Sequence, residues 1–423
     1  MCAGKFSEVS GRGFLIISAL MGMFPVQNPF RRIPDITSSF LSIFILISVL
    51  SFIYPIFVSS DLLRIQLARQ NSPALSDKII FYSSGASMYV AVMIIRLSAF
   101  IYYRQTLEML QILYGIQLKL GTFQRFNVKS SPVRCKWFLV ITVVGSTTFM
   151  GAIITGFPNL FQHGPEILQM FRFTPTNPML AGILFVMIEF LTGFCLIYGL
   201  IFIIFTGSAL AQTQETLGAI LISLIERSFI GSCRMGADKS LVPIAWVQSL
   251  SGGDKNSPRM DLDLKLSFPE LFKQMKRAFS LYSCVGGWYV LALLFYGVML
   301  IIKGFCALAF SNVEDSGLGL ITLLVGVFLV FFFTLFGEFM EREMTGSQAR
   351  IQDSVGTFAT MNEVQSKQLR QWTKWWNQWR WKFTALNYFN VNHSTIPAVI
   401  GTVFTYFIFL FQLRMSESQS GRA

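Results

Sequence analysis

Few side chains in this sequence can do covalent chemistry. The only two histidines, His163 and His393, fall on opposite faces of the membrane in the topology derived below, so a three-histidine zinc site cannot be assembled. No glycine-rich phosphate loop and no nucleophile elbow occur. The six cysteines (Cys2, Cys135, Cys195, Cys233, Cys284 and Cys306) show no metal-ligand spacing and are scattered over apolar runs and loops. A disulfide framework is not expected from them. The expectation is a protein with no catalytic residue, no metal and no cofactor.

Binding chemistry has better support. Two ionisable residues lie inside apolar runs: Arg96 in MIIRLSAF and Glu189 in FVMIEFLTGF. A carboxylate at mid-membrane costs several kcal/mol, on the order of insertion scales, unless it is neutral, paired or wetted. Glu189 therefore marks either a pocket or a hydrogen bond between helices. Arg96 is either functional or a residue that extends its head to the inner headgroups, and the second reading is favoured. Trp288, Tyr289 and Tyr296 share one apolar run, and Tyr82 and Tyr89 share another. Trp and Tyr offer a flat apolar face with a polar tip, suited to sugar rings and other small organic ligands, and equally suited to a core or interface belt. Together with Glu189 and Thr147, in Ser146-Thr147-Thr148, they outline a small-molecule pocket. The last apolar run, Ser394–Leu413, carries Gly401, Thr402, Thr405 and Gln412 near one helical face, with Ile408 or Phe409 between. Such a face either bonds to a neighbouring helix or lines water.

These residues need elements to hold them, and composition says which. Of 423 residues 53% are hydrophobic and only 13% charged, against about 25% charged in soluble domains. The fold class is therefore an all-α, multi-pass membrane protein in a lipid bilayer. Seven runs are long enough to span: Ile36–Ser59, Ile79–Tyr103, Trp137–Phe157, Pro178–Thr206, Ala278–Ile302, Leu318–Phe336 and the terminal run. The 34 Lys and Arg are explained by loop asymmetry rather than nucleic acid. Twenty-six lie on one side and seven on the other. This places the N-terminus in the cytoplasm and the C-terminus outside.

The division follows: a cytoplasmic N-terminal segment, 1–35; transmembrane helices one to four, 36–206; a cytoplasmic connection, 207–277; helices five and six, 278–336; a Trp-rich cytoplasmic helix, 337–393; helix seven, 394–413; and an extracellular tail, 414–423. The apolar run near the N-terminus lacks a cleavage site of small residues, and reads as an amphipathic or re-entrant helix rather than a signal peptide. Leu217, Ile220, Leu221, Leu224 and Ile225 continue a helical stripe beyond the fourth span, and helices are expected to flank the Gly-rich gap Ser249–Arg259. Arg350–Asn390 is polar and free of proline, and reads as helix down to QWTKWWNQWRWKF. Trp372, Trp375, Trp376 and Trp379 fall on one side of it. They suit an interfacial belt with Lys374, Arg380 and Lys382 at the headgroups, or a contact between copies; the belt is favoured. The sequon at Asn392 is expected to be unused on the cytoplasmic side.

The terminal run resembles that of insect gustatory receptors, which end in Thr-Tyr, five apolar residues and Gln-Phe. Here it is Thr405-Tyr406-FIFLF-Gln412-Leu413, with Leu replacing Phe. The preceding ALNYFNVNHSTIPAVIGTV is also similar to that family, most of all its sugar-receptor branch. The resemblance implies a homotetrameric or mixed tetrameric ligand-gated channel for monovalent and divalent cations, in the plasma membrane of sensory neurons. It implies a pore lined by the last span, with Gln412 and Leu413 at the gate, Thr405, Ile408 and Phe409 along the path and Tyr406 bracing the helix. It further implies a cytoplasmic anchor domain and a small-molecule tastant, a sugar by preference, in the outer half of each bundle. Signalling through a cytosolic partner and small-solute transport are the competing classes. An odd span count and the lack of a repeat disfavour transport.

Overall fold

The computed structural model describes residues 75–123, 140, 178–236, 257–310, 316–357 and 363–420. The first span, all of the third but Val140, the N-terminal segment and Thr147 lie outside these. The described chain forms α1 (Leu75–Ile101), α2 (Tyr103–Phe123), α3 (Pro178–Gly236), α4 (Ser257–Phe310), α5 (Ser316–Thr357), α6 (Glu363–Gln378), a two-stranded hairpin of β1 (Thr384–Ala385) and β2 (Phe389–Asn390), and α7 (Thr395–Ser420). Four helices contain stretches long and apolar enough to cross a membrane: Gly193–Glu226, Ser267–Ala309, Gly319–Val355 and Thr395–Glu417.

Two very long helices carry the architecture. Proline stands at the first position of α3, where its missing N–H costs nothing. The helix then continues without interruption for 59 residues. Its distal half keeps the expected stripe, for Leu217, Ile220, Leu221, Leu224 and Ile225 are all buried. α4 runs for 54 residues through Pro269, which removes one backbone donor from its first third. It is the central element, packed on α1, α2, α3, α5, α7 and β1. α1 passes into α2 at Tyr102, where helical bonds persist from Tyr102 N to Ser98 O and from Thr106 N to Tyr102 O, both 2.9 Å.

α4 and α5 approach backbone to backbone. A Cβ on Gly326 would lie 2.7 Å from Gly297 O and 2.8 Å from Ile301 N. Small residues permit this distance, and van der Waals contact is what holds helices together where lipid replaces water. At the other end of the bundle the links are ionic, Arg277 to Glu108 and Arg350 to Glu215 at 3.8 Å. Both are well exposed and weak.

The segment from α6 to α7 is helical for less of its length than expected: α6 (Glu363–Gln378) ends before Trp379, and the chain then extends into the hairpin. The four tryptophans also part company. Trp372, Trp376 and Trp379 are buried, while Trp375 is exposed. The three buried rings pack on a matching aromatic row of α4 rather than forming an interfacial belt. Trp372 stacks on Phe268 at 5.1 Å and Trp376 on Phe272 at 5.4 Å. Trp379 meets Phe279 edge-on at 5.0 Å, and Trp381 donates Nε1–H to Ser283 Oγ at 2.8 Å. Gln348 of α5 closes the end of α6, donating to the carbonyls of Trp376 and Trp379 at 3.1 and 2.6 Å. Trp376 O, in the last turn of α6, also accepts from Trp379 N at 3.2 Å, and Trp379 stands just past the helix end.

The hairpin is wedged between α4 and α5. Its turn hydrogen bond runs from Tyr388 N to Ala385 O, 3.0 Å, with φ of 54° at Leu386 and 62° at Asn387, a type I′ geometry. Glycine on each neighbouring helix makes room for it. A Cβ on Gly287 would come 2.8 Å from Leu386 N, and one on Gly337 would overlap Val391 O.

Candidate functional site

α7 begins at a built cap. Asn392 Oδ1 accepts from Ser394 N at 3.1 Å, Thr395 Oγ1 donates to Asn390 O at 2.7 Å, and Asn392 Nδ2 donates to Glu341 Oε2 of α5 at 3.4 Å. The cap ties the start of α7 to the hairpin and to α5. Beyond it, one stripe of α7 holds the helix to its own bundle. Val403 and Leu410 are buried, and Phe407 packs on Phe305 of α4 at 6.0 Å.

Among the described residues nothing covers the opposite stripe. At roughly 100° per residue, Gly401, Thr405, Ile408 and Gln412 centre on the side away from Val403, Phe407 and Leu410. All four are exposed, as are Thr402, Phe404, Tyr406, Phe409 and Phe411; Leu413 is half-buried. Thr402 and Thr405 donate to Ala398 O and Gly401 O, at 2.9 and 2.8 Å. Bonding to their own backbone, these hydroxyls need no partner on a neighbouring helix. The imbalance is large. Within the subunit 11% of the apolar stretch of α7 is buried, against 72% in α3, 56% in α4 and 44% in α5.

A second constellation lies inside the bundle. Tyr282, Tyr289 and Tyr296, seven residues apart on α4, are all buried. Tyr282 donates to Ile203 O of α3 at 2.8 Å. The Tyr289 ring meets Phe202 edge-on at 5.0 Å and Tyr198 at 6.1 Å. Cys195 is buried in the same region, within electrostatic reach of Arg96 of α1 and of Tyr289. Arg96 itself is only 4% exposed. The snorkelling expected of it does not occur: the side chain turns into the bundle. Its Nε and Nη1 are buried with no hydrogen-bond partner.

A family model described as 7tm Chemosensory receptor matches residues 12–417. The chain belongs to this chemosensory receptor family. No curated protein matches its sequence. Among solved structures it is similar to the insect olfactory receptor OR5 from Machilis hrabei, at 13% identity and a TM-score of 0.60, over 95% of this chain and 97% of that one. The same receptor in complex with eugenol gives 15% identity and a TM-score of 0.57, over 96% and 99%. At such identities the likeness concerns the fold.

Among the expected ligand contacts of this chemosensory receptor, Trp288 is half-buried and its Nε1 has no partner. Tyr289 and Tyr296 face the bundle interior with Tyr282. The backbones of Tyr82, Tyr89 and Glu189 lie on α1 and α3, with their side chains outside the described set. Sequence reasoning passed over Cys195, Tyr198 and Tyr282. The heptad spacing of the three α4 tyrosines was the available signal. Among the described residues no cluster of His, Cys, Asp or Glu could hold a metal ion.

Proposed function

We propose that the chain is a gustatory-type receptor: a subunit of a ligand-gated, non-selective cation channel in the plasma membrane, opened by a small organic tastant. The resemblance of Thr405–Leu413 to gustatory receptors points to taste rather than smell and names sugars as one ligand class. The observation that carries the channel reading is the uncovered face of α7. It is a membrane-length helix whose Gly401–Thr405–Ile408–Gln412 stripe is exposed, with no cover among the described residues of its own subunit. Four copies around an axis would turn these stripes toward a common path, and the apolar flanks, Phe404, Tyr406 and Phe409, toward neighbouring subunits and lipid.

In this scheme apolar side chains at Leu413 close the outer end by dewetting, and Gln412 amides meet partly hydrated cations when the helix turns. A solved olfactory receptor of similar fold is in complex with eugenol, which supports a small organic ligand for this chain. The ligand shifts gating only by its affinity difference between the closed and open states. The path for that shift runs from the bundle through α4 to the hairpin and the α7 cap.

Recording from cells that express this chain alone, against a panel of sugars, bitter compounds and organic acids, tests the proposal. Ligand-evoked cation current in excised patches, without added cytosolic components, is the expected result. Current that needs a cytosolic partner, or solute uptake without channel currents, would replace it with one of the competing classes.

A further inference from the structure

Among the described residues the buried guanidinium of Arg96 has no counter-charge. Its relative exposure is 4%, and both Nε and Nη1 lack a partner. Among the described residues no carboxylate forms an ion pair with it. The thiol of Cys195, within electrostatic reach of it, is a weak acceptor. An isolated cation in a low-dielectric interior is among the costliest groups a fold can hold, unless it is paired and hydrogen-bonded. α1, α3 and α4 meet closely here: a Cβ on Gly199 would lie 3.1 Å from Ile95 Cδ1 and 3.5 Å from Leu293 Cδ1. Cys195 and Tyr198 of α3 and Tyr289 of α4 are buried along the same stretch, with the two tyrosine rings 6.1 Å apart. Among the described residues these helices place no carboxylate against the guanidinium.

We propose that Arg96, with Cys195 and Tyr289 beside it, is a binding site for the carboxylate of a small organic acid. The inference rests on the channel reading for its consequence, and names the ligand class of that bundle site. The carboxylate accepts from Nε–H, one of the donors left unused, and from Nη2–H on the same edge, in the planar side-on geometry that guanidinium and carboxylate share. The apolar walls exclude water, so the pair forms in a medium where each bond counts for more than in solution. A neutral analogue of the same shape leaves the cation unpaired and binds less well.

Binding is measured directly on the detergent-purified full chain by calorimetry, with two matched pairs: glucuronate against glucose, and phenylacetate against methyl phenylacetate. At least one acid is expected to bind tighter than its neutral partner by about tenfold or more, the value of a charged hydrogen bond. The preference falls to nearly nothing in Arg96→Gln and survives in part in Arg96→Lys. No acid preference in the wild-type chain, including no binding of either acid, overturns the proposal, as does a preference that Arg96→Gln retains. Should Arg96→Gln fail to fold, the wild-type pairs and Arg96→Lys decide. Recordings separate this inference from the channel: acid binding with no evoked current sinks the channel and leaves the site, while currents from neutral ligands with no acid preference do the reverse.

Discussion

Single residues set limits that can be tested one at a time. Tyr282→Phe keeps the ring between Trp381 and Phe383 and removes only the hydroxyl bond to Ile203 O. It should cost about 1 kcal/mol, the net value of one hydrogen bond, read as a lower thermal midpoint of the purified protein. Leu386 sits at φ 54°, where a residue with a Cβ pays about 1 kcal/mol or more and Asn is tolerated. Leu386→Asn is therefore expected to raise the midpoint; an unchanged or lower value would show that packing of the leucine outweighs its backbone strain. At this scale the sequence was legible where periodicity governs. The stripe from Leu217 to Ile225 is buried as its spacing required. Arg96 was not legible, because one charged residue in an apolar run reads the same whether its long stem points outward or inward. The neighbours that decide the matter, Cys195 and Tyr289, are far away in sequence.

At the scale of elements, the link between bundle and α7 is an aromatic zipper. Phe268, Phe272, Phe279 and Tyr282 of α4 receive Trp372, Trp376, Trp379 and Trp381, and Gln348 locks the end of α6. Gln348→Ala removes the donor to Trp379 O and leaves Trp376 O only the bond from Trp379 N, and should cost about 1–3 kcal/mol. Faster amide exchange across residues 363–383, with α3 unchanged, is the expected signature; unaltered protection there would mean that the stacked rings alone hold α6. Trp376→Ala should cost more, about 3–5 kcal/mol. Tryptophans at helical spacing announce an apolar face but do not name its partner. The matching row on α4 was present in the sequence, a hundred residues away, and only the fold brings the two rows together. The hairpin was missed for a related reason. Its turn uses Leu386 and Asn387 at positive φ instead of the usual glycine, so the stretch lacks the local signal of a turn.

At the scale of the whole molecule, composition and apolar runs were enough to indicate a multi-pass helical protein, and the family match over residues 12–417 agrees. Among the described residues one membrane-length helix is largely bare on the side where its polar residues lie. In the proposed channel an assembly of several subunits uses that side. The purified assembly is therefore expected to have the mass of four subunits, measured by light scattering with detergent subtracted; a stable monomer would count against a shared pore. The most direct measurement is cysteine substitution along α7, with currents recorded during exposure to a water-borne, membrane-impermeant thiol reagent and an opening ligand. Modification is expected at Gly401, Thr405, Ile408 and Gln412, and not at Val403, Phe407 or Leu410. No modification anywhere on the first stripe, or modification confined to the second, would contradict an ion path along the exposed face of α7.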